Sequence, residues 1–256
     1  MKNILSKFKI NNYTYIFFLL CALCGYIKNI CIIFIICLIH EFGHIFFIKL
    51  FKYRVISIEI LPFGGFTTID KRINSNINKD IIVAFGGILF QIFLICIIFL
   101  FKGYLNVITY NLFIKYNLIL IIFNMLPIIP LDGNNIIHLL LEKLFSYHLS
   151  YYLNFLLSIL FLILFFIVNY IYKLDNYFII SFLIYKTIIY IKEYKFLNNR
   201  FLLERYLYDF EYARIDNQTK KINNLKKNVL HYFKSNNKYI NEKTKIEELL
   251  YKNKSW

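Results

Sequence analysis

The sequence is poor in charged residues, glycine and proline. Charged residues make up 18% of its 256 positions, and it contains only 8 glycines and 3 prolines. So few glycines and prolines exclude a collagen-like chain, and the 20% of aromatic residues excludes a disordered one. Soluble domains carry about 25% charged residues, so the low charged fraction also excludes an ordinary soluble domain.

Apolar residues take the place of the missing charges. They make up 59% of the chain, and the mean hydropathy is +0.55. Long apolar runs predict an all-α polytopic membrane protein whose immediate partner is the lipid bilayer. The runs predict about six transmembrane helices, at residues 13–27, 29–50, 81–101, 107–129, 151–172 and 177–191.

Basic residues outnumber acidic ones, with 30 Lys and Arg against 15 Asp and Glu. Most of them fall in segments that alternate spans place on the same side of the membrane. The positive-inside rule then predicts a multi-pass cell membrane protein with both termini in the cytoplasm, and it explains the charge without nucleic acid as a partner.

The last quarter of the chain differs in composition from the rest. We expect residues 1–192 to form the membrane-embedded domain and residues 193–256 to form a short, basic cytoplasmic tail. Within the tail, Leu202, Leu203, Tyr206 and Phe210 recur at helical spacing, which predicts an amphipathic helix lying on the membrane or against a partner.

The loop between the second and third spans alternates like a β-strand. Ile56, Ile58 and Ile60 share one side of an extended segment, and residues 62–65 supply turn chemistry. This pattern predicts a small membrane-associated β-hairpin, with an ordinary interfacial loop as the alternative. We expect the strand at residues 54–60 to offer a free edge to which another chain can add.

Three ionisable residues lie close together inside the second span, where such groups are costly and tend to be functional. His40, Glu41 and His44 form an H-E-x-x-H motif. On a helix, this spacing places two imidazoles on one face as zinc ligands and a carboxylate beside them as a general base. The alternative is a buried polar cluster between helices.

A catalytic zinc ion takes three protein ligands, so the two histidines need a third partner. Asp132 is favoured because Pro127 and Pro130, just before it, stop the fourth helix and leave irregular backbone where a hydrolytic site can form. Asp132 has a second interpretation, as the N-cap of the next helix. Glu59 and His138 remain alternative ligands.

These motifs together resemble the site-2 protease family of intramembrane zinc metalloproteases, peptidase family M50. The resemblance rests on H-E-F-G-H at residues 40–44 and on N-x-x-P-x-x-P-L-D-G at residues 124–133. It implies that His40, His44 and Asp132 hold one Zn²⁺ per chain and that Glu41 activates the attacking water. It also implies that Asn124 contacts the substrate or stabilises the oxyanion.

Within that family, the compact layout resembles a branch that acts in sporulation. This resemblance implies a membrane-associated protein substrate, a sigma-factor precursor, together with membrane-bound inhibitory partners and a place in the outer forespore membrane. Gly86, Gly87 and Gln91 differ from the Gly-Pro and following Asn of many members. The alternatives are a protease acting on another membrane-anchored regulator, an inactive scaffold, and a metal or proton transporter that uses the same polar residues.

Overall fold

The computed structural model describes residues 8–10, 23, 25–61, 64–172, 177–210, 212, 214–219, 221–235 and 238–252. These residues are mostly helical, with two small sheets. The helices are α1 Ile27–Leu50, α2 Ile77–Leu100, α3 Val107–Asn124, α4 Asp132–Leu144, α5 Tyr147–Ile171, α6 Tyr177–Leu207 and α7 Glu242–Lys252. The strands are β1 Phe8–Ile10, β2 Arg54–Leu61, β3 Gly64–Asp70, β4 Arg214–Thr219, β5 Val229–Ser235 and β6 Lys238–Asn241.

Four of the described helices, α1, α2, α3 and α5, are long and apolar enough to cross a membrane. The prediction of a mostly helical chain with several apolar spans is therefore confirmed, but the count of six is not. Residues 13–22 of the predicted first span lie outside the described residues. The predicted sixth span is the first half of α6, where Lys186, Lys192 and Glu193 interrupt the apolar run.

The predicted fourth span is shorter than expected. Helix α3 ends at Asn124 rather than near residue 129, and the next helix begins only at Asp132. Pro127 and Pro130 lie in the non-helical segment between them, as the sequence predicts. Leu131 occupies the N-cap position of α4, so Asp132 is the first helical residue and not the cap.

The chain divides into two compact units, and the first contains residues 1–71 and 82–125. Its sheet has the order β1-β2-β3, with β1 parallel to β2 and β3 antiparallel to it. The hairpin of β2 and β3 confirms the predicted one. The expectation of a free edge at residues 54–60 is wrong, because the distant segment at residues 8–10 pairs with residues 58–60. Strand β3 is the edge strand instead, and it packs against α1.

The second unit contains residues 72–81 and 126–256. Helices α4, α5 and α6 pack in sequence, and the small sheet β4-β5-β6 packs with α7. One buried cluster joins the helices to this sheet: Tyr147, Phe201, Leu225, Phe233 and Ile246.

The expected boundary between residues 192 and 193 falls inside α6. Leu202 and Tyr206, from the predicted amphipathic stretch, lie on this helix and pack against the buried cluster of the second unit. The apolar face of the stretch is therefore covered, at least in part, by the chain's own C-terminal residues.

Candidate metal centre

The centre begins with two histidines one turn apart on α1. His40 and His44 lie on the same face of the helix, and their rings meet edge to face with centroids 4.8 Å apart. The two Nε2 atoms are 3.1 Å apart. His40 is buried, with 6% of its surface exposed, although it is ionisable and lies in an apolar helix.

Helix α2 fixes the orientation of both rings. His40 Nδ1 donates a hydrogen bond to Gln91 Oε1 at 3.0 Å, and His44 Nδ1 donates one to the Val83 carbonyl oxygen at 2.8 Å. Neither acceptor carries a hydrogen, so each histidine holds its proton on Nδ1. Each Nε2 then presents a lone pair, and the two lone pairs are directed towards the same small region.

A glycine makes room for the two rings. Gly87 lies between Val83 and Gln91 at spacings of four residues, so all three share one face of α2. A Cβ atom at Gly87 would lie 2.6 Å from the Nε2 atoms of both His40 and His44. Only glycine therefore leaves the space in which the two lone pairs meet.

Two further glycines bring α1 and α2 into backbone contact beside the motif. A Cβ atom at Gly86 would lie 2.7 Å from the Gly43 carbonyl oxygen, and a Cβ at Gly43 would overlap the Gly86 carbonyl. Small residues are what allow membrane helices to approach this closely. The close approach places the acceptors of α2 within reach of the histidines of α1.

Glu41 follows His40 on α1 and is half-buried. Its Oε2 atom accepts a hydrogen bond from the Thr67 hydroxyl group at 3.3 Å. Thr67 belongs to the edge strand β3, so the carboxylate of the motif is held beside a strand whose outer side is available for pairing within the described sheet.

His40 and His44 are the two candidate metal ligands that the first unit brings together; Asp132 belongs to the second unit, and its place as the third ligand stays a prediction. Two imidazoles and one carboxylate are a ligand set that catalytic zinc accepts, with a fourth position left open. The observed Nε2 to Nε2 distance is near the ~3.3 Å expected for two nitrogens on a tetrahedral zinc ion. The two histidine side chains therefore fit zinc, and a carboxylate is a chemically suitable third ligand.

The other candidates from the sequence lie elsewhere. Asn124 is the last residue of α3 and is half-buried, and its role stays a prediction. His138 is not part of the metal-binding group; its Nε2 atom lies 3.9 Å from Glu142, and its ring contacts Tyr151. Glu59 lies in β2, opposite Phe66.

Several residues that shape the centre were not singled out from the sequence. Val83 contributes only a backbone atom, so its side chain carries no signal. Gly87 and Gln91 stood out only as departures from the family pattern, and here they have definite contacts with the histidines. Thr67 is an ordinary strand residue whose contact with Glu41 depends on how β3 packs against α1.

Comparison with known proteins finds similarity to a family of peptidases. A model described as Peptidase family M50 matches residues 28–109, which include α1, the hairpin and α2. This match places the similarity to peptidase family M50 in the part of the chain that holds the H-E-x-x-H motif. The chain is also 30% identical over 143 residues to stage IV sporulation protein FB of Bacillus subtilis (strain 168). That match covers 55% of this chain and only 50% of the relative.

A solved structure shares the fold of this chain. The site-2 protease from Methanocaldococcus jannaschii is similar with a TM-score of 0.55, over 71% of this chain and 89% of that one. The two are 19% identical in sequence, so this similarity concerns the fold alone.

Proposed function

We propose that this chain is an intramembrane zinc metalloprotease that hydrolyses a peptide bond within or beside the bilayer. The observation that carries the proposal is the pair of Nε2 lone pairs, 3.1 Å apart, on the helical turn that also holds Glu41. His40, His44 and Asp132 are the proposed ligands of one Zn²⁺ per chain. A purely structural polar cluster would not require both histidines to direct lone pairs to the same point.

Glu41 is the proposed general base and acid. When bound, zinc lowers the pKa of water and polarises a carbonyl group as a Lewis acid. Glu41 takes the proton from the attacking water and passes it to the leaving amine. The Thr67 hydroxyl group holds Oε2 of Glu41, which limits the rotation of the carboxylate. Loss of such a proton-transfer group reduces rates by about 10²–10⁴-fold.

The substrate must reach this site as an extended chain, because a helix hides its carbonyl groups in hydrogen bonds. Strand β3 is the edge of its sheet and carries Thr67, which contacts Glu41. We propose that the substrate pairs with β3 by strand addition, which brings its backbone beside the carboxylate. Asn124 is the proposed contact for the scissile peptide or its oxyanion.

A sporulation sigma-factor precursor is the proposed natural substrate. The supporting observation is the 30% identity to a protein named for sporulation, over about half of that relative. The same proposal includes membrane-bound inhibitory partners and a multi-pass protein of the outer forespore membrane with both termini in the cytoplasm. Another membrane-anchored regulator is the alternative substrate within the same chemistry.

Co-expression with the sigma-factor precursor encoded in the same genome tests the proposal. The wild type, Glu41→Gln and the control Glu193→Gln are compared by immunoblot for a shortened product. Glu193 is exposed on α6, so its substitution removes the same charge away from the motif. We expect product with the wild type and Glu193→Gln, and none with Glu41→Gln.

The same experiment separates the chemistry from the substrate. If Glu41→Gln cleaves as well as the wild type, the proposed mechanism is wrong. If no variant cleaves the precursor but the purified wild type contains zinc and cleaves another membrane-anchored regulator, the sporulation substrate is wrong and the protease assignment stands.

A further inference from the structure

Two amide side chains are fully buried in the apolar helices around the metal centre. Gln91 on α2 and Asn117 on α3 each have 0% of their surface exposed. Asn117 is the one buried residue of α3, a helix whose remaining side chains are at least partly exposed. Amides are costly in the interior of a membrane protein unless they are hydrogen-bonded, so their presence here needs a reason.

Each amide uses only half of its hydrogen-bonding capacity. Gln91 Oε1 accepts from His40 Nδ1 at 3.0 Å, and Asn117 Nδ2 donates to the backbone carbonyl of Gln91 at 3.0 Å. Among the described residues, Gln91 Nε2 and Asn117 Oδ1 have no hydrogen-bond partner. Leaving such groups unsatisfied lowers stability. An apolar side chain at position 117 would avoid this penalty, whereas one at position 91 would also leave His40 Nδ1 without its acceptor. Apolar packing alone therefore does not explain the two amides.

The hydrogen bonds that the two amides do make connect three helices in series. It runs from Asn117 on α3 to the backbone of Gln91 on α2, and from the Gln91 side chain to His40 on α1. His44 needs no such series of hydrogen bonds, because the Val83 backbone carbonyl accepts its Nδ1 proton directly. His40 depends on the Gln91 side chain for the same purpose, and Asn117 holds the backbone from which that side chain extends.

We propose that Gln91 is a positioning residue that holds His40 in the tautomer and ring orientation suited to metal binding, and that Asn117 positions Gln91. This inference rests on the proposed zinc site. An acceptor at Nδ1 keeps the proton there and leaves the Nε2 lone pair for the metal. Partners of this kind typically change metal affinity by about 10–100-fold when they are removed.

Zinc affinity of the full chain in detergent micelles tests the proposal, with Zn²⁺ titrated against a chromophoric chelator. Gln91→Met keeps the side-chain volume but removes the acceptor, and Gln91→Glu keeps the acceptor. We expect Gln91→Met to bind zinc about 10–100-fold more weakly than the wild type, and Gln91→Glu to bind within about threefold of it. With Co²⁺ as the probe, the visible absorption bands of Gln91→Met should shift, while those of Gln91→Glu should keep the wild-type pattern.

Thermal unfolding of the metal-free protein shows whether packing explains the result. Gln91→Met removes one unsatisfied amide group and deprives His40 Nδ1 of its acceptor, and these two effects oppose each other. We therefore expect zinc affinity to fall without a matching loss of thermal stability. If Gln91→Glu loses as much affinity as Gln91→Met, the acceptor is irrelevant and the proposal is overturned.

Variants of Asn117 also test the proposal. We expect Asn117→Leu to weaken zinc binding by about two- to fivefold, less than a direct partner of the ligand would. Asn111→Leu is the matched control, because Asn111 is an exposed amide on the same helix. The double variant Gln91→Met/Asn117→Leu should bind no more weakly than Gln91→Met, since Asn117 acts through Gln91.

The outcomes separate this proposal from the proposed function. If the wild type binds zinc and the zinc affinities of both Gln91→Met and Asn117→Leu match its affinity within twofold, the positioning role of Gln91 and Asn117 is overturned. The protease proposal then stands. If the wild type binds no zinc, both proposals fail. If Gln91→Met does not accumulate, Asn117→Leu replaces it as the test: a zinc affinity of Asn117→Leu equal to that of Asn111→Leu then overturns the proposal that Asn117 positions Gln91.

Discussion

The two units of the chain both bury ionisable groups, but these groups have different kinds of partner. In the second unit, the Arg205 guanidinium group binds both oxygens of Glu242 and also donates to the carbonyls of Lys226 and Val229. Lys227 likewise lies 2.9 Å from Glu142 and 3.9 Å from Asp80, and all three are buried. In both cases, buried charges of opposite sign lie beside one another.

The first unit arranges its buried histidines for another purpose. His40 and His44 give their Nδ1 protons to acceptors on α2, and their Nε2 lone pairs then converge. Two lone pairs at 3.1 Å repel each other unless a cation or proton joins them. Buried charges that pair with one another are typical of a structural network, whereas the converging Nε2 atoms of His40 and His44 support the proposed metal site.

Removing Arg205 should have the largest effect. Arg205→Met leaves Glu242 buried without its main partner, and we expect the free energy of unfolding of the second unit to fall by about 3–5 kcal/mol. Chemical unfolding followed by limited proteolysis of the C-terminal residues measures it. Lys245→Ala, which breaks an exposed pair with Glu248, should cost less than about 1 kcal/mol.

The double variant Arg205→Met/Glu242→Leu sharpens the comparison. If Arg205 and Glu242 only balance each other's charge, the unit should tolerate the loss of both, so we expect most of the lost stability to return. If the double variant is as unstable as Arg205→Met, the pair has a role beyond balancing charge, and the contrast between the two units is weaker than stated.

Filling the space between the two histidines should have the next largest effect. In Gly87→Ala, the new methyl group would lie 2.6 Å from both Nε2 atoms, so at least one ring must move. We expect zinc affinity, measured by chelator competition, to fall by at least about 100-fold. Gly103→Ala is the control, because its added methyl group meets nothing within 4 Å. Unchanged zinc binding in Gly87→Ala would place the metal elsewhere.

The hydrogen bond to the proposed base should matter less. Thr67→Val removes the hydroxyl group that donates to Glu41 at 3.3 Å, and we expect kcat to fall by about 10-fold with zinc content unchanged. Thr67→Ser keeps a hydroxyl group and should recover most of the activity. A Thr67→Val enzyme with the wild-type kcat would mean that Glu41 needs no support from β3.

The smallest effect concerns pH and the second unit. Burial, reinforced by the charge of Arg205, lowers the pKa of His231 below its usual value. The unfolded chain then takes up a proton near pH 6.5 while the folded unit does not, so the free energy of unfolding should fall as the pH drops below about 6.5. We expect His231→Gln, followed by chemical unfolding between pH 5 and 8, to show a flatter profile than the wild type. An identical profile would assign the pH dependence to other groups.

The sequence predicted those parts of the centre that depend on local spacing. His40, Glu41 and His44 lie within one turn and a half of a single helix, so their arrangement follows from helix geometry. The end of α3 before Asp132 follows from the chemistry of the two prolines. The hairpin of β2 and β3 was also predictable, because alternation and turn residues are local signals.

The remaining features depend on packing between distant segments. Gln91 contacts His40 across 51 positions, and Thr67 contacts Glu41 across 26. Strand β1 pairs with β2 in parallel, a pairing that no local pattern specifies. The C-terminal sheet has polar strands of low hydropathy, and β4 and β5 also pair in parallel, so the tail showed no sign of this fold.

The zinc content of the purified full chain tests the central claim most directly. Elemental mass spectrometry of the wild type and of His40→Ala/His44→Ala, prepared identically, gives the number of zinc ions per chain. We predict about one in the wild type and a value near zero in the double variant. An equal zinc content in the two proteins would contradict the assignment of the converging histidines as a metal centre.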